Sequence, residues 1–139
     1  MKTVIARREV LEGTDYWNVG SIAVPRAGYE KPVLLTQSDV SGSITLNVYA
    51  PDSSTPVYTT TFAKTLTQAG GTEAIHAAVT DGRWGVNDIG HNFVHYVQQA
   101  TVGAGILKGG RVYTMVYLIP TTLDGIIPAI FEWDVRPLH

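Results

Sequence analysis

The stretch from Ala104 to Val135 constrains this chain most, because its residue order specifies a β-hairpin. Arg111 to Ile119 is almost entirely β-branched or aromatic, the side chains that suit a pleated, half-buried surface. Leu123-Asp124-Gly125 supplies Asp-Gly turn chemistry, and Ile126 to Val135 carries the chain back. Gly109-Gly110 lets the backbone swing in ahead of the first strand with positive φ. Tyr113 and Tyr117, four residues apart, then face the same side of the sheet.

The remaining chain reads as short strands separated by turn formers. Lys2 to Leu11 is a first strand with a compromised pattern: Arg8 shares a face with Val4, Ala6 and Val10, and Arg7 and Glu9 share the other with Ile5 and Leu11. That pattern suits an edge strand or an arm. Tyr16 to Val24 is expected as a second strand, ended by Pro25-Arg26-Ala27-Gly28, and Thr36 can cap a single helical turn. Ser43 to Tyr49 alternates cleanly, with Ile44, Leu46 and Val48 inward; a polar turn over residues 51–56 precedes a partner strand from Val57 to Phe62. Thr72 to Asp81 is compatible with a short helix or an extended connection. Asn92 to Gln98 is a strand with Phe93, His95 and Val97 on one face.

Seven or eight strands at this spacing predict an all-β fold, a single Greek-key β-sandwich. Residues 31–139 form its core, and residues 1–30 an N-terminal edge strand or arm that packs on its own or a neighbouring sheet, one domain overall. At 139 residues the chain can bury roughly two thirds of the surface its unfolded form exposes.

Composition narrows the function. A net charge of −2 gives no electrostatic reason to bind nucleic acid or an anionic membrane surface. The absence of cysteine removes disulfides, thiolate metal sites and thiol nucleophiles. No run approaches the roughly 20 apolar residues of a membrane span, and the first residues lack the apolar core of a secretory signal, so folding in the cytoplasm is expected.

Chemistry-bearing residues are present but poorly arranged for catalysis. His91 and His95 stand four apart, yet Asn92 occupies the place where a zinc hydrolase carries glutamate. On a strand the two imidazoles lie some 13 Å apart at about 3.3 Å per residue, too far for one ion. Hydrogen-bonded structural histidines are the expectation. Asp81, Asp88 and Asp124 are turn formers, and Glu132 and Asp134 sit on the last strand without an opposed partner across a cleft. No catalytic residue, metal or cofactor is expected. The aromatics Tyr16, Trp17, Tyr29 and Trp84 fall in loop or edge regions, where they suit a sugar-stacking platform or an interface anchor, and the equal alternative is that Trp84 and Trp133 plug the ends of the sandwich. Tyr16, Trp17, Trp84, Val4 and Val10 are the candidate interface residues.

Several of these residues carry a resemblance. The run from Asp81, Asp-x-Arg-Trp-x-Val-x-Asp-x-x-Gly-x-Asn-Phe-x-His, is followed by Gly110-x-x-Tyr113-x-x-x-Tyr117 and by Gly125, Pro128 and Phe131-Glu132. Leu35 to Val40 and Ile44-x-Leu-x-Val48-Tyr49 stand upstream. Together they resemble small structural proteins of tailed bacteriophages and, more loosely, the immunoglobulin-like N-terminal domain of phage baseplate upper proteins. The Gly-x-x-Tyr approach to a strand is also used by immunoglobulin-like sandwiches, where the tyrosine hydroxyl ties a corner to nearby backbone. The resemblance implies a non-enzymatic virion component present in multiple copies as a homo-oligomer: a capsid decoration, head fibre, or connector or baseplate adaptor. Its partners would be other virion proteins, with a glycan as the alternative ligand of a host-attachment module.

Overall fold

The computed structural model describes residues 4–35, 39–63, 67–68, 72–73, 92–97, 102 and 105–137. Eleven strands occupy the described residues: β1 Val4–Leu11, β2 Tyr16–Gly20, β3 Ala23–Val24, β4 Val33–Leu34, β5 Ile44–Tyr49, β6 Tyr58–Phe62, β7 Thr67–Gln68, β8 Thr72–Glu73, β9 Phe93–Val97, β10 Arg111–Thr121 and β11 Gly125–Arg136. The fold is all-β, built from several sheets. A five-stranded sheet runs in the order β1-β11-β10-β5-β6, and three two-stranded ribbons pair β2 with β9, β3 with β4, and β7 with β8.

The β10/β11 hairpin is the spine of the large sheet. Its register is unbroken from Arg111 opposite Val135 to Thr121 opposite Gly125, and Gly125 takes φ +72° at the turn. Thr121 ties the turn from within: its hydroxyl donates to Gly125 O at 2.7 Å and accepts from Asp124 N at 2.9 Å. Alternation then sets the faces. Tyr113, Met115, Tyr117 and Ile119 on β10, and Ala129, Phe131, Trp133 and Val135 on β11, are all at most 1% exposed. Ile44, Leu46 and Val48 of β5 continue the same apolar face.

The β2/β9 ribbon lies over this face. Phe93 packs edge-on against Tyr117 at 4.8 Å between ring centroids and nearly parallel to Phe131 at 5.9 Å, while Phe62 stacks on His95 at 4.4 Å. Burying each large aromatic in this layer is worth roughly 2–3 kcal/mol.

β1 is an edge strand of its own sheet, parallel to β11, with Arg8 opposite Trp133 and Val10 opposite Val135. Its awkward sequence pattern has two local solutions. A register irregularity between Val4 and Ala6 rotates Ile5 so that it packs on the core. Arg8, facing the core side, lays its guanidinium on the Tyr16 ring 4.6 Å from the centroid, and Tyr16 in turn meets Trp133 edge-on. The charge is thereby kept at the rim on an aromatic face.

The expected single strand from Tyr16 to Val24 is broken at Ser21-Ile22, for a reason found far away in sequence. Asn92 accepts from Ile22 N at 2.7 Å and donates to Ile22 O and Leu35 O, both at 2.8 Å. The amide side chain stands in for a strand neighbour and pins three segments together. The Thr36 cap lies outside the described residues, as does all of Thr72 to Asp81 beyond the two residues of β8.

Candidate functional site

Among the described residues, the strongest concentration of polar chemistry is a buried chain of hydrogen bonds that crosses from β11 through the β2/β9 ribbon to β10. Trp133 Nε1 donates to Asn18 Oδ1 at 2.8 Å. An indole N–H can only donate, so it fixes the Asn18 amide with its nitrogen on the far side. That nitrogen donates to the Tyr117 hydroxyl at 2.9 Å and lies 3.3 Å from Met115 Sδ. The hydroxyl, accepting from Asn18, has its own proton to give, and His95 Nδ1 stands 2.7 Å away. A neutral His95 carrying its proton on Nε2 completes the chain with each group matched.

Burial sets the protonation states. Enclosure lowers the His95 pKa to about 4, so the ring is neutral near pH 7. Burial likewise drives the Tyr117 hydroxyl well above its ordinary value, against a smaller opposing effect of the Asn18 hydrogen bond. Both groups are sealed, His95 at 6% and Tyr117 at 0% exposure, and they join the two layers.

A second tie closes the approach to β10. Tyr113 accepts a hydrogen bond from Lys108 N at 2.9 Å, five residues upstream. Gly110, at φ +87°, donates to Val135 O at 2.7 Å. Gly109 donates to Glu12 Oε1 at 2.8 Å, which brings the end of β1 onto the same corner. A Cβ on Gly109 would lie 2.6 Å from Pro137 Cα, so only glycine fits there.

At the opposite end of the hairpin, Arg26 reaches between two carboxylates, 2.8 Å from Asp124 and 3.5 Å from Asp39. The hydrogen bond to Asp124 raises the guanidinium pKa further, while burial pulls the other way. Arg26 Nε is buried without a hydrogen-bond partner. The Asp124 turn is therefore braced from another strand connection, and the bracing presents Leu123 and Ile126, 75% and 65% exposed, to solvent.

The outer face of the large sheet is charged along one row. Arg7 pairs with Glu132 at 3.4 Å and reaches Asp134 at 4.0 Å, and Arg136 lies 3.0 Å from both Asp134 and Glu9. Glu132 and Asp134 are thus ion-pair partners on an open face. Beside this row the β5/β6 loop rises over a groove of about 620 Å³, with Val116 and Ile130 as its floor and Tyr49, Asp52, Ser54 and Thr114 among its walls. Asp52 takes φ +61° at the loop's turn.

Among the sequence-derived candidates, Gly110, Tyr113, Tyr117, Asp124 and Gly125 all lie on the hairpin as described. Val10 does not lie at a free surface: alternation on β1 turns it inward opposite Val135, and it is 1% exposed. Val4 is 39% exposed at the start of the edge strand. Tyr16 is half-buried, with Arg8 over one face of its ring and Trp133 edge-on to it. Trp133 is fully buried mid-strand and anchors the polar chain, where a plug at the sandwich end was expected. The Trp17 side chain, Trp84, His91, Asp81 and Asp88 lie outside the described residues. Among the described residues no group of three His, Asp or Glu side chains stands together as a metal site.

Asn18 was not foreseen as central. Its signal in the sequence is a carboxamide in the middle of the strand Tyr16-Trp17-Asn18-Val19, where a strand facing a core ought to be apolar. No family model, no curated protein and no solved structure matches the chain.

Proposed function

We propose that this chain is a non-enzymatic structural component of a tailed-phage virion, present in several copies and acting through protein–protein contacts on an immunoglobulin-like Greek-key sandwich. The observation that carries the reading is the hairpin tip. Leu123 and Ile126 project there from a turn held by Thr121 and braced by Arg26. Two large apolar side chains on a braced protrusion cost little in backbone ordering when a partner covers them, which suits interface anchors.

The strand order supports the fold half of the proposal. A hairpin flanked by a third strand and then a fourth, β11-β10-β5-β6, follows the extended sheet of a variable-type immunoglobulin domain, with β2 and β9 as the facing layer. The Tyr113 bond to Lys108 N supports it as well, as the counterpart of a tyrosine corner. The motif resemblance over Asp81 to His95 and along the hairpin supports the virion half.

The test is to mix the purified protein with phage heads and, separately, tails made without it. Sedimentation with either places it on the particle; Leu123→Asp with Ile126→Asp should abolish that binding without unfolding the chain. Binding to neither preparation would remove the proposal.

The groove beside Tyr49 favours one second reading, a glycan-binding attachment module. An apolar floor rimmed by hydroxyls, a carboxylate and one aromatic ring suits a neutral sugar. A glycan panel giving no binding sensitive to Tyr49→Ala would exclude it.

A further inference from the structure

The two edges of the five-stranded sheet are unequally protected. β1 carries Arg7, Arg8 and Glu9 in succession and a register irregularity at its start, the devices by which natural sheets discourage further pairing. β6, at the other edge, carries none of them: Tyr58-Thr59-Thr60-Thr61-Phe62 has no charge, no proline and no glycine. Its register with β5 runs without interruption from Val48 opposite Tyr58 to Ile44 opposite Phe62. Thr59 Oγ1 donates to Asn47 Oδ1 at 2.6 Å, and the Thr61 and Thr45 hydroxyls lie 3.4 Å apart. The strand is therefore tied along its length to β5, and no described residue pairs with its other side.

We propose that β6 is the edge through which two copies of this chain pair, antiparallel, about a twofold axis at Thr60. The residue order itself selects the partner. Tyr58 to Phe62 is nearly a palindrome, so antiparallel self-pairing centred on Thr60 sets Tyr58 of one copy against Phe62 of the other and Thr59 against Thr61. Aromatic pairs and threonine pairs are the favourable cross-strand combinations, and no like charges meet. A twofold axis makes each such contact occur twice. The two five-stranded sheets then join into one continuous sheet of ten strands. Pairing with a neighbouring sheet, expected from the sequence at the N-terminal strand or arm, is thereby assigned to β6, because β1 is guarded.

The pairing specifies one copy-to-copy contact and rests on the multi-copy reading above only in naming a second copy as partner. Its test uses isolated protein, so its failure is separate from a failure of particle binding. Sedimentation equilibrium of the wild-type chain over a wide concentration range should show a monomer–dimer equilibrium. Thr60→Lys and Thr60→Glu should each be monomeric, since each sets like charges against one another at the axis. Mixing the two should restore a mixed dimer. Thr59→Lys with Thr61→Lys changes two exposed side chains, gives up their hydroxyl contacts to Asn47 and Thr45, and should also give a folded monomer, with unchanged near-ultraviolet circular dichroism. A wild-type chain that stays monomeric at every concentration overturns the proposal, whether or not it takes up an extended peptide from another protein. So does a dimer that persists in all the charged variants.

Discussion

Asn18 Nδ2 donates to the Tyr117 hydroxyl at 2.9 Å, inside the core and between two sheets. Because the same amide accepts from Trp133 and the same hydroxyl stands 2.7 Å from His95, one bond connects four buried polar groups into a chain. In such a network a broken member leaves its neighbours unmatched in a low-dielectric interior, so the cost falls on the partners as much as on the residue changed.

Tyr117→Phe keeps the ring packing and removes only the hydroxyl. Asn18 Oδ1 still accepts from Trp133, but its Nδ2 keeps only Met115 Sδ at 3.3 Å, and His95 Nδ1 loses its partner. The expected loss is about 1–3 kcal/mol for each orphaned group, read from the midpoint of urea unfolding. A double-mutant cycle with Asn18→Leu should show strong coupling; additive losses would mean that the chain does not act as a unit.

The pH dependence follows from His95. Its folded pKa of about 4 lies below the ordinary value of 6.5, so the unfolded chain takes up a proton first as pH falls. The stability due to neutral His95 is complete above pH 6.5 and is lost on descending from there to about pH 4. A shift of this size corresponds to roughly 3 kcal/mol. His95→Phe should flatten that part of the stability profile, whatever it does to the absolute value. Parallel wild-type and variant profiles would contradict the assignment.

Gly109→Ala puts a methyl group against Pro137 backbone and Glu12 Oε1, where neither can withdraw without opening the corner. Overpacking of this kind costs about 1–3 kcal/mol. Tyr113→Phe, which strands Lys108 N at the same corner, should cost about 1 kcal/mol and leave the hairpin register intact. Thermal unfolding of both variants ranks the two effects.

Removal of residues 1–12 separates an arm from a strand. β1 contributes Val10 to the core and lays Arg8 on the ring of Tyr16, which in turn meets Trp133. The truncated chain should lose cooperative unfolding or melt well below the full chain. An unchanged melting temperature would show that β1 is dispensable to the fold.

The parts legible in the sequence are those set by near neighbours. β5 alternates because Ile44, Leu46 and Val48 alternate, and the β10/β11 turn follows from Asp124-Gly125, whose positive φ glycine accepts. The parts that were not legible depend on pairing between distant segments. The break after Gly20 exists because Asn92 supplies hydrogen bonds from 70 residues away. Val10 reads as surface while β1 is taken alone, and becomes core only once the strand is registered against β11. The polar chain needed three registers at once, those of β2, β9 and β10, before Asn18 and His95 could be seen to meet Tyr117.

The central claim is that the protein is built into a particle in several copies. Quantitative mass spectrometry of purified phage particles encoded with this chain tests it most directly. The account predicts a fixed copy number per particle, in proportion to the major capsid or tail protein. Absence of the protein from particles that are otherwise complete and infectious would contradict it.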